Sequence, residues 1–161
     1  MHNQTEFIRD IKENEGIIYK VTRVYADNTE DQKDLYQEIV YQLWKSYNSF
    51  KGESLLSTWM YRIALNTAIT HLKKEKKKGV QIEIDDQLLN RKDDIDTETE
   101  EKISLLYAQI QDLNVIEKGI ILLYLDGKSY DEIAAVTGFT NTNIGTRLAR
   151  IKQKLKTKIN K

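Results

Sequence analysis

The side chains whose chemistry is clearest lie in residues 129–156, "SYDEIAAVTGFTNTNIGTRLARIKQKLK", where short polar groups precede cations. Hydroxyl and amide groups can hydrogen-bond to base edges, and the cations behind them can pair with phosphates. Neutralising several phosphates releases counterions, so such binding should weaken steeply with salt. We predict that this segment contacts DNA through Thr140, Asn141, Thr142, Asn143, Thr146, Arg147 and Arg150.

These side chains need two short helices that cross at a tight turn. The first helix has an apolar face at helical spacing, formed by Tyr130, Ile133, Ala134 and Thr137. Gly138 is placed to end that helix with a positive φ angle, and Phe139 to fill the turn. The second helix buries a face formed by Ile144, Leu148, Ile151 and Leu155. The spacing predicts a helix-turn-helix, and the alternative is an ordinary helical hairpin with a solvated basic tail.

A second group of candidates lies in residues 47–74, "YNSFKGESLLSTWMYRIALNTAITHLKK", where aromatic residues stand beside polar donors and the segment ends in cations. Aromatic and polar groups around a loop can hold an unstacked base while cations follow the strand. Trp59 is expected to pack in the core, because it shares a helix face with aliphatic residues, including Leu55. Tyr61, Arg62 and Asn66 are expected on the exposed face.

A third set of polar groups lies on one flank of a predicted helix and consists of Asp31, Asp34, Gln37 and Glu38. The apolar stripe of this helix consists of Leu35, Ile39, Val40, Leu43 and Trp44. An acid near the start of a helix is favoured by the helix dipole, which accounts for Asp31. Glu38 lies too far along the helix for that explanation.

Helical patterns cover residues 5–78 and 100–157, and no segment alternates convincingly as a strand would. We predict an all-α chain of two small helical domains, residues 1–78 and 100–161, joined by an acidic, flexible linker at residues 79–99. The β-branched run "EGIIYKVTRVY" is assigned to a helix from its surroundings, with Gly16 as a weak point. Predicted helix caps are Asn28 or Thr29, Asn114 with Glu117, Ser129 with Glu132, and Thr140 or Asn141.

The formal net charge of zero conceals a separation of charge along the chain. Residues 62–78 hold six cations and one acid, and residues 147–161 hold seven cations and no acid. Between them, residues 83–101 hold nine acids and two cations. Two basic segments separated by an acidic one indicate nucleic-acid binding at two places.

Several classes of function are not indicated by the sequence. The chain has no Cys, which excludes disulfides and thiolate metal sites. Its two His, His2 and His71, have no metal-ligand spacing, and there is no nucleophile–base pair or glycine-rich phosphate loop. We therefore expect no catalytic residue, no metal, no cofactor and no enzyme activity. No signal peptide or apolar run of about 18 residues is seen, so a cytoplasmic protein without a membrane span is expected.

Two long segments resemble a known family. The first, "DQKDLYQEIVYQLWKSYNSFKGESLLSTWMYRIALNTAITHLKK", resembles region 2 of bacterial sigma factors of the extracytoplasmic-function (ECF) group. The second, "LNVIEKGIILLYLDGKSYDEIAAVTGFTNTNIGTRLARIKQKLK", resembles region 4 of the same group. The motifs D-x-x-D-L-x-Q-E and T-W-M-Y-R-I-A-x-N are specific together. The resemblance covers just over half of the chain, in the order that the family shows.

The resemblance implies roles for the candidate residues. Docking on the β′ clamp helices of core RNA polymerase falls to Asp31, Asp34, Gln37 and Glu38. Contact with the −10 element of promoter DNA, including capture of a flipped base by residues 47–54, falls to Tyr47, Asn48, Phe50, Lys51, Ser54, Tyr61, Arg62, Asn66, His71 and Lys74. Reading of the −35 element falls to the helix at residues 141–156, in a domain that also contacts the β flap. The resemblance further implies an acidic linker in the RNA exit path and an anti-sigma factor as inhibitory partner.

Two other functions stay open at this point. One is a stand-alone helix-turn-helix regulator that binds DNA without polymerase, and it does not require the acidic flank. The other is a helical adaptor that binds only proteins, and it would show no salt-sensitive DNA binding. Gly145, inside the predicted DNA-reading helix, costs about 1 kcal/mol relative to Ala, and either permits close approach to the DNA backbone or is simply tolerated.

Overall fold

The computed structural model of the chain describes residues 4–78 and 97–159. Within these ranges the chain forms eight α-helices and one 3-10 turn and contains no β-strand, which confirms the predicted all-α fold. The chain divides into two compact units, and the division falls within residues 79–96. The predicted linker, residues 79–99, lies outside the described residues except for residues 97–99, which are already helical.

The first unit contains the helices α1 (Gln4–Glu13), α2 (Glu15–Tyr25), α3 (Thr29–Ser46) and α4 (Leu56–Lys78). A 3-10 turn, Tyr47–Ser49, follows α3. Helices α2, α3 and α4 pack against one another in pairs. Their shared core includes the fully buried side chains of Ile18, Leu35, Ile39, Leu43 and Ala64. Burying one such large aliphatic side chain contributes about 1.5–3 kcal/mol, so this core holds the unit together.

The first helical pattern of the sequence is divided into two helices at Asn14. The side-chain amide of Asn14 donates to the carbonyl oxygen of Asp10 at 2.9 Å. A short amide side chain competes in this way with the helical ladder, so the break falls at Asn14, and Gly16 lies inside α2. The β-branched run forms α2 as predicted, because Ile18, Val21 and the residues that share their face are buried.

The residues that precede α3 and α4 fix where these two helices begin. Asn28 caps α3, as predicted, because its Oδ1 accepts the backbone N–H of Asp31 at 2.9 Å. The carbonyl of Leu55 accepts the N–H of Trp59 at 3.0 Å, so Leu55 is the residue that precedes α4. Its side chain is 63% exposed. The expectation that Leu55 shares the buried face of α4 is therefore wrong.

The second unit contains α5 (Thr97–Ile110), α6 (Val115–Leu125), α7 (Tyr130–Thr137) and α8 (Asn141–Ile159). Both predicted capping boxes are present. The backbone N–H of Glu117 donates to Asn114 Oδ1 at 2.9 Å, and that of Asn114 donates to Glu117 Oε1 at 3.1 Å. Ser129 and Glu132 exchange the same pair of bonds at the start of α7. These caps fix where α6 and α7 begin.

Candidate nucleic-acid interface

The turn between α7 and α8 has the predicted geometry. Gly138 has a φ angle of 86°, in the left-handed region, and its N–H donates to Ala134 O at 2.8 Å. A residue with a Cβ would be strained at this φ angle. Thr140 Oγ1 then accepts the N–H of Asn143 at 3.1 Å and caps the first turn of α8. Hydrogen bonds between residues three or four positions apart therefore fix the end of α7 and the start of α8.

Helix α8 separates its apolar residues from its DNA-facing candidates. Ile144, Leu148 and Ile151 are buried, and Leu155 is half-buried. Of the seven predicted DNA-contacting residues, six are exposed and Arg147 is half-buried. The polar face predicted from the sequence is thus the face that the fold leaves outside the core.

Arg147 is held by two neighbours on this face. Its Nε donates to Asn143 Oδ1 at 2.6 Å, and its guanidinium carbon lies 4.1 Å from the centroid of the Phe139 ring. A planar guanidinium that is stacked and hydrogen-bonded in the free protein loses little entropy when it makes a further bidentate contact. The sequence interpretation placed Phe139 only in the turn, and its contact with Arg147 was missed.

Asn141 is also bonded within the motif. Its side-chain amide donates to Asp131 Oδ1 at 2.5 Å, which brings an acid of α7 to the start of α8. Asp131 was missed by the sequence interpretation, because it lies ten residues away and its own motif gives only a helix start. The carboxylate orients Asn141, and its charge opposes the approach of phosphates.

Two cations near the end of α8 bind within their own unit. Lys154 Nζ donates to Glu117 Oε2 at 2.6 Å, and Lys152 Nζ donates to the Tyr124 hydroxyl at 2.9 Å. Burial of Glu117 favours its neutral form, but the bonds from Lys154 and the Asn114 backbone and the charges of Lys154 and Arg147 outweigh it and lower the pKa of Glu117. The hydrogen bond with Tyr124 raises the pKa of Lys152. Two lysines of the basic segment at residues 147–161 are therefore engaged in contacts within the second unit.

Gly145 lies beside the aromatic ring of Tyr130 in α7. A Cβ at this position would lie 3.5 Å from Cε2 of Tyr130, at ordinary van der Waals distance. Gly145 thus faces Tyr130 of α7, which favours the alternative that this glycine is simply tolerated.

In the first unit, the acidic flank lies along α3. Asp34 and Gln37 are exposed, while Asp31 and Glu38 are half-buried. Asp31 belongs to the cap of α3, where its carboxylate also accepts a bond from the Asn28 amide at 3.1 Å. Glu38 Oε1 accepts a bond from the Gln42 amide at 3.3 Å. Exposure leaves Asp34 and Gln37 as the members most available to a partner.

Two grooves run beside this flank. A polar groove of about 330 Å³ is lined by Glu38, Gln42, Asn66, Thr67, Thr70, His71 and Lys74. It therefore brings Glu38, a predicted polymerase contact, beside three predicted −10 contacts. Within the part of the chain that the structure describes, His71 Nε2 is buried and has no hydrogen-bond partner.

The second groove is apolar, has a volume of about 450 Å³, and is lined by Gln4, Phe7, Ile8, Tyr36, Gln37, Val40, Tyr41 and Trp44. Tyr41 is 56% exposed and Trp44 is 45% exposed. The sequence interpretation put Trp44 on the apolar stripe and did not consider Tyr41. The sequence spacing could have indicated this exposed aromatic pair, because Tyr41 follows Gln37 by one turn of α3 and Trp44 lies on the next turn.

Two aromatic candidates for the −10 contact are in the core. Tyr61 is 0% exposed, because it shares the buried face of α4 with Met60 and Ala64, so its predicted position on the exposed face is wrong. Tyr47 is 3% exposed and its hydroxyl donates to Asp10 Oδ2, because α1 covers it. Neither ring is at the surface where a base could stack.

The remaining −10 candidates reach the surface. Asn48, Lys51, Asn66 and Lys74 are exposed, and Phe50, Ser54, Arg62 and His71 are half-buried. Trp59 is half-buried, with its ring centroid 5.1 Å from that of Phe50. The structure therefore keeps eight of the ten candidates at least partly accessible and adds Trp59 beside them.

Comparison with protein families identifies the chain. Sigma-70 region 2 matches residues 11–78, and sigma-70 region 4 matches residues 103–155. The two matches together cover about three quarters of the chain. The chain belongs to the sigma-70 family of RNA polymerase sigma factors. Helices α2–α4 lie in the region 2 match of this sigma factor, and the helix-turn-helix lies in its region 4 match.

Curated relatives place the sigma factor in the ECF group. It is 29% identical over 151 residues to the ECF RNA polymerase sigma-E factor of Haemophilus influenzae, covering 86% of this chain and 79% of the relative. It is 28% identical over 134 residues to the RNA polymerase sigma factor SigV of Bacillus subtilis, covering 82% and 78%.

Solved structures share the fold of this sigma factor. The sigma factor RpoE of Bartonella quintana, in complex with the anti-sigma factor NepR, aligns with a TM-score of 0.74 at 20% identity, over 96% of this chain and 97% of that one. CnrH, in complex with the cytosolic domain of CnrY, aligns with a TM-score of 0.71 at 17% identity, over 98% and 90%.

Residues 4–78 and 97–159 contain neither a cluster of metal-ligand side chains nor a membrane-spanning helix. No group of three or more His, Asp or Glu side chains there could hold a metal ion. No helix in these ranges combines the length and the apolar character needed to cross a membrane.

Proposed function

We propose that this sigma factor binds core RNA polymerase and directs it to promoters, where it supports local melting and the start of transcription. The proposal is supported by the exposed polar face of α8, on which Asn143 orients Arg147. This face belongs to a helix-turn-helix in a chain that matches both sigma-70 regions. We further propose that it acts in the cytoplasm and contributes no catalytic group, metal or cofactor.

The polymerase-binding surface is proposed to be the acidic flank of α3, with the β′ clamp helices as partner. Asp34 and Gln37 are exposed, and Asp31 and Glu38 complete the flank. Exposed aromatic side chains that become buried contribute strongly to protein–protein affinity. We therefore add Tyr41 and Trp44, which lie beside Gln37 in the apolar groove, to this surface.

Promoter contact is proposed at two places. The −10 element meets the 3-10 turn, the loop of residues 50–55 and α4, where Asn48, Lys51, Asn66 and Lys74 are exposed. The −35 element meets α8, where Arg147 is already oriented by Asn143. Region 4 is also proposed to touch the β flap of the polymerase.

An anti-sigma factor is proposed as an inhibitory partner. The support is that the structural neighbours with the same fold were solved as complexes, one with the anti-sigma factor NepR and one with the cytosolic domain of CnrY. Such a partner would compete with core polymerase for exposed apolar surface of the sigma factor.

The test is transcription in vitro with core polymerase on a library of genomic promoter fragments, combined with gel-shift titration. We expect specific transcripts with core polymerase, and weak duplex binding by the isolated protein, because the polymerase sets the spacing of the two promoter contacts. Tight, specific binding to palindromic DNA without polymerase would instead support a stand-alone regulator. Association with proteins but no salt-sensitive DNA binding would support an adaptor.

A further inference from the structure

Aromatic side chains form a continuous series from α1 to the loop of residues 50–55. The ring of Phe7, in α1, lies 5.0 Å from that of Trp44 and 5.1 Å from that of Tyr47, between centroids. The ring of Tyr47 lies 6.2 Å from that of Trp59, and Phe50 lies 5.1 Å from Trp59. These separations are in the range in which aromatic pairs attract each other beyond their burial.

A hydrogen bond fixes the same series to α1. The hydroxyl of Tyr47 donates to Asp10 Oδ2, across 37 positions of sequence. Burial, followed by the hydrogen bond and charge of Asp10, raises the pKa of Tyr47 to about 12. The phenol is therefore a neutral donor at physiological pH, and a buried donor without an acceptor is costly.

Tyr47 also determines where the loop leaves the 3-10 turn. The backbone N–H of Phe50 donates to the Tyr47 carbonyl at 3.1 Å, and the Phe50 ring then packs on Trp59. Gly52, at the middle of the loop, has a φ angle of 75°. The start of the loop is thus held by Tyr47 through its backbone and by Trp59 through a ring contact.

We propose that Phe7 and Asp10 of α1 are positioning residues for the loop of residues 50–55, which they hold, through Tyr47 and Trp59, in the shape that receives the flipped base of the −10 element. The proposal rests on the proposed function of this loop. Asp10 acts through Tyr47 and touches no DNA itself. Tyr47 has the same indirect role, which replaces the direct base contact expected from the sequence.

The choice of variants follows from the contacts. Phe7 lines the apolar groove as well, so its replacement would alter two surfaces. Asp10→Ala removes the acceptor of the Tyr47 hydroxyl together with the ion-pair partner of Arg9, whose Nε lies 3.9 Å from Asp10 Oδ1, whereas Asp10→Asn removes the charge but keeps an acceptor oxygen. Tyr47→Phe keeps the ring and removes the donor. Lys12→Ala is the matched control, because Lys12 is an exposed residue of the same helix.

The experiment uses holoenzyme assembled from core polymerase and full-length sigma factor, on a promoter selected by the transcription test. Affinity is measured for fork-junction DNA whose single-stranded −10 segment is intact, or abasic at each position in turn. The intact-to-abasic affinity ratio at the captured position reports base capture. We expect Asp10→Ala to lower this ratio by about 5- to 10-fold, while Asp10→Asn and Lys12→Ala keep it within about 2-fold.

The outcomes separate the proposal from the function on which it rests. Affinity for core polymerase should stay unchanged in all variants. Equal loss on intact and abasic DNA would show a merely structural role for α1 and overturn the proposal. If Asp10→Ala does not fold, Tyr47→Phe is used as the deciding variant. We expect it to lower the intact-to-abasic affinity ratio to the same extent, and an unchanged ratio would overturn the proposal. A wild-type holoenzyme that transcribes but shows no intact-to-abasic difference would refute the function of the loop itself.

Discussion

The two proposed promoter-contacting regions are held in place by different means. On α8 the proposed DNA contacts are ordered by residues four and ten positions away, since Asn143 holds Arg147 and Asp131 holds Asn141. The loop of residues 50–55 is ordered by contacts that reach back to Asp10. The −35 contact should therefore tolerate changes elsewhere in the chain, whereas the −10 contact should be sensitive to a helix that touches no DNA.

The largest effect is expected for the acidic flank of α3, the proposed polymerase-binding surface. Reversing charge in the double variant Asp34→Lys and Glu38→Lys should reduce co-purification with core polymerase by at least about 100-fold. A partner surface that complements the acidic flank would then face like charges, which cost several kcal/mol across an interface. Glu13→Lys, at an exposed acid of α1, is the control and should co-purify normally. Normal association of the double variant would show that the polymerase-binding surface lies elsewhere on the protein.

A smaller effect is expected at the face of α8. Arg147→Lys keeps the charge but loses the stacked, bonded guanidinium, and should weaken holoenzyme binding to −35 DNA by about 10-fold or more. Arg150→Lys is the matched variant, and it should change affinity by less than about 3-fold if Arg150 pairs only with phosphate. Binding titrations over a salt series would measure both. Equal losses in the two variants would mean that the order imposed by Asn143 has no role in recognition.

The difference between contacts that are local in sequence and contacts that are distant explains which parts of the structure could be predicted. The capping boxes at Asn114 and Ser129 and the glycine turn at Gly138 depend on residues within a few positions, so sequence spacing predicted them. The burial of Tyr47 depends on α1, which lies 37 residues earlier in the chain at the Asp10 contact, and no local pattern contains that information. Tyr61 was misplaced for a similar reason, since α4 is flanked by both α2 and α3 and buries a broad face.

A pH-dependent effect tests the contact between α6 and the end of α8. The lowered pKa of Glu117 means that its ionised form stabilises the folded unit. This stability is present above the pKa of an unfolded Glu, about 4.3, and is lost as pH falls through the folded pKa. Glu117→Gln should therefore lower the free energy of unfolding by about 1 kcal/mol at pH 7, and the difference should shrink as the pH falls below about 4. Chemical denaturation across pH would measure it, and a pH-independent difference would contradict the ionic account.

The smallest effect is expected at Gly145. It tests whether this glycine is needed for contact with DNA or only lies beside α7. Gly145→Ala should stabilise the protein by up to about 1 kcal/mol, because Ala has the higher helix propensity and its Cβ meets Tyr130 at 3.5 Å without a clash. Affinity for −35 DNA should not change, because this position faces α7. Gly138→Ala is the contrasting variant, and it should destabilise the protein by about 1–2 kcal/mol through its left-handed φ angle. Thermal unfolding and DNA titration of both variants give the answer, and a loss of DNA affinity in the stabilised Gly145→Ala would show that the glycine serves the DNA contact after all.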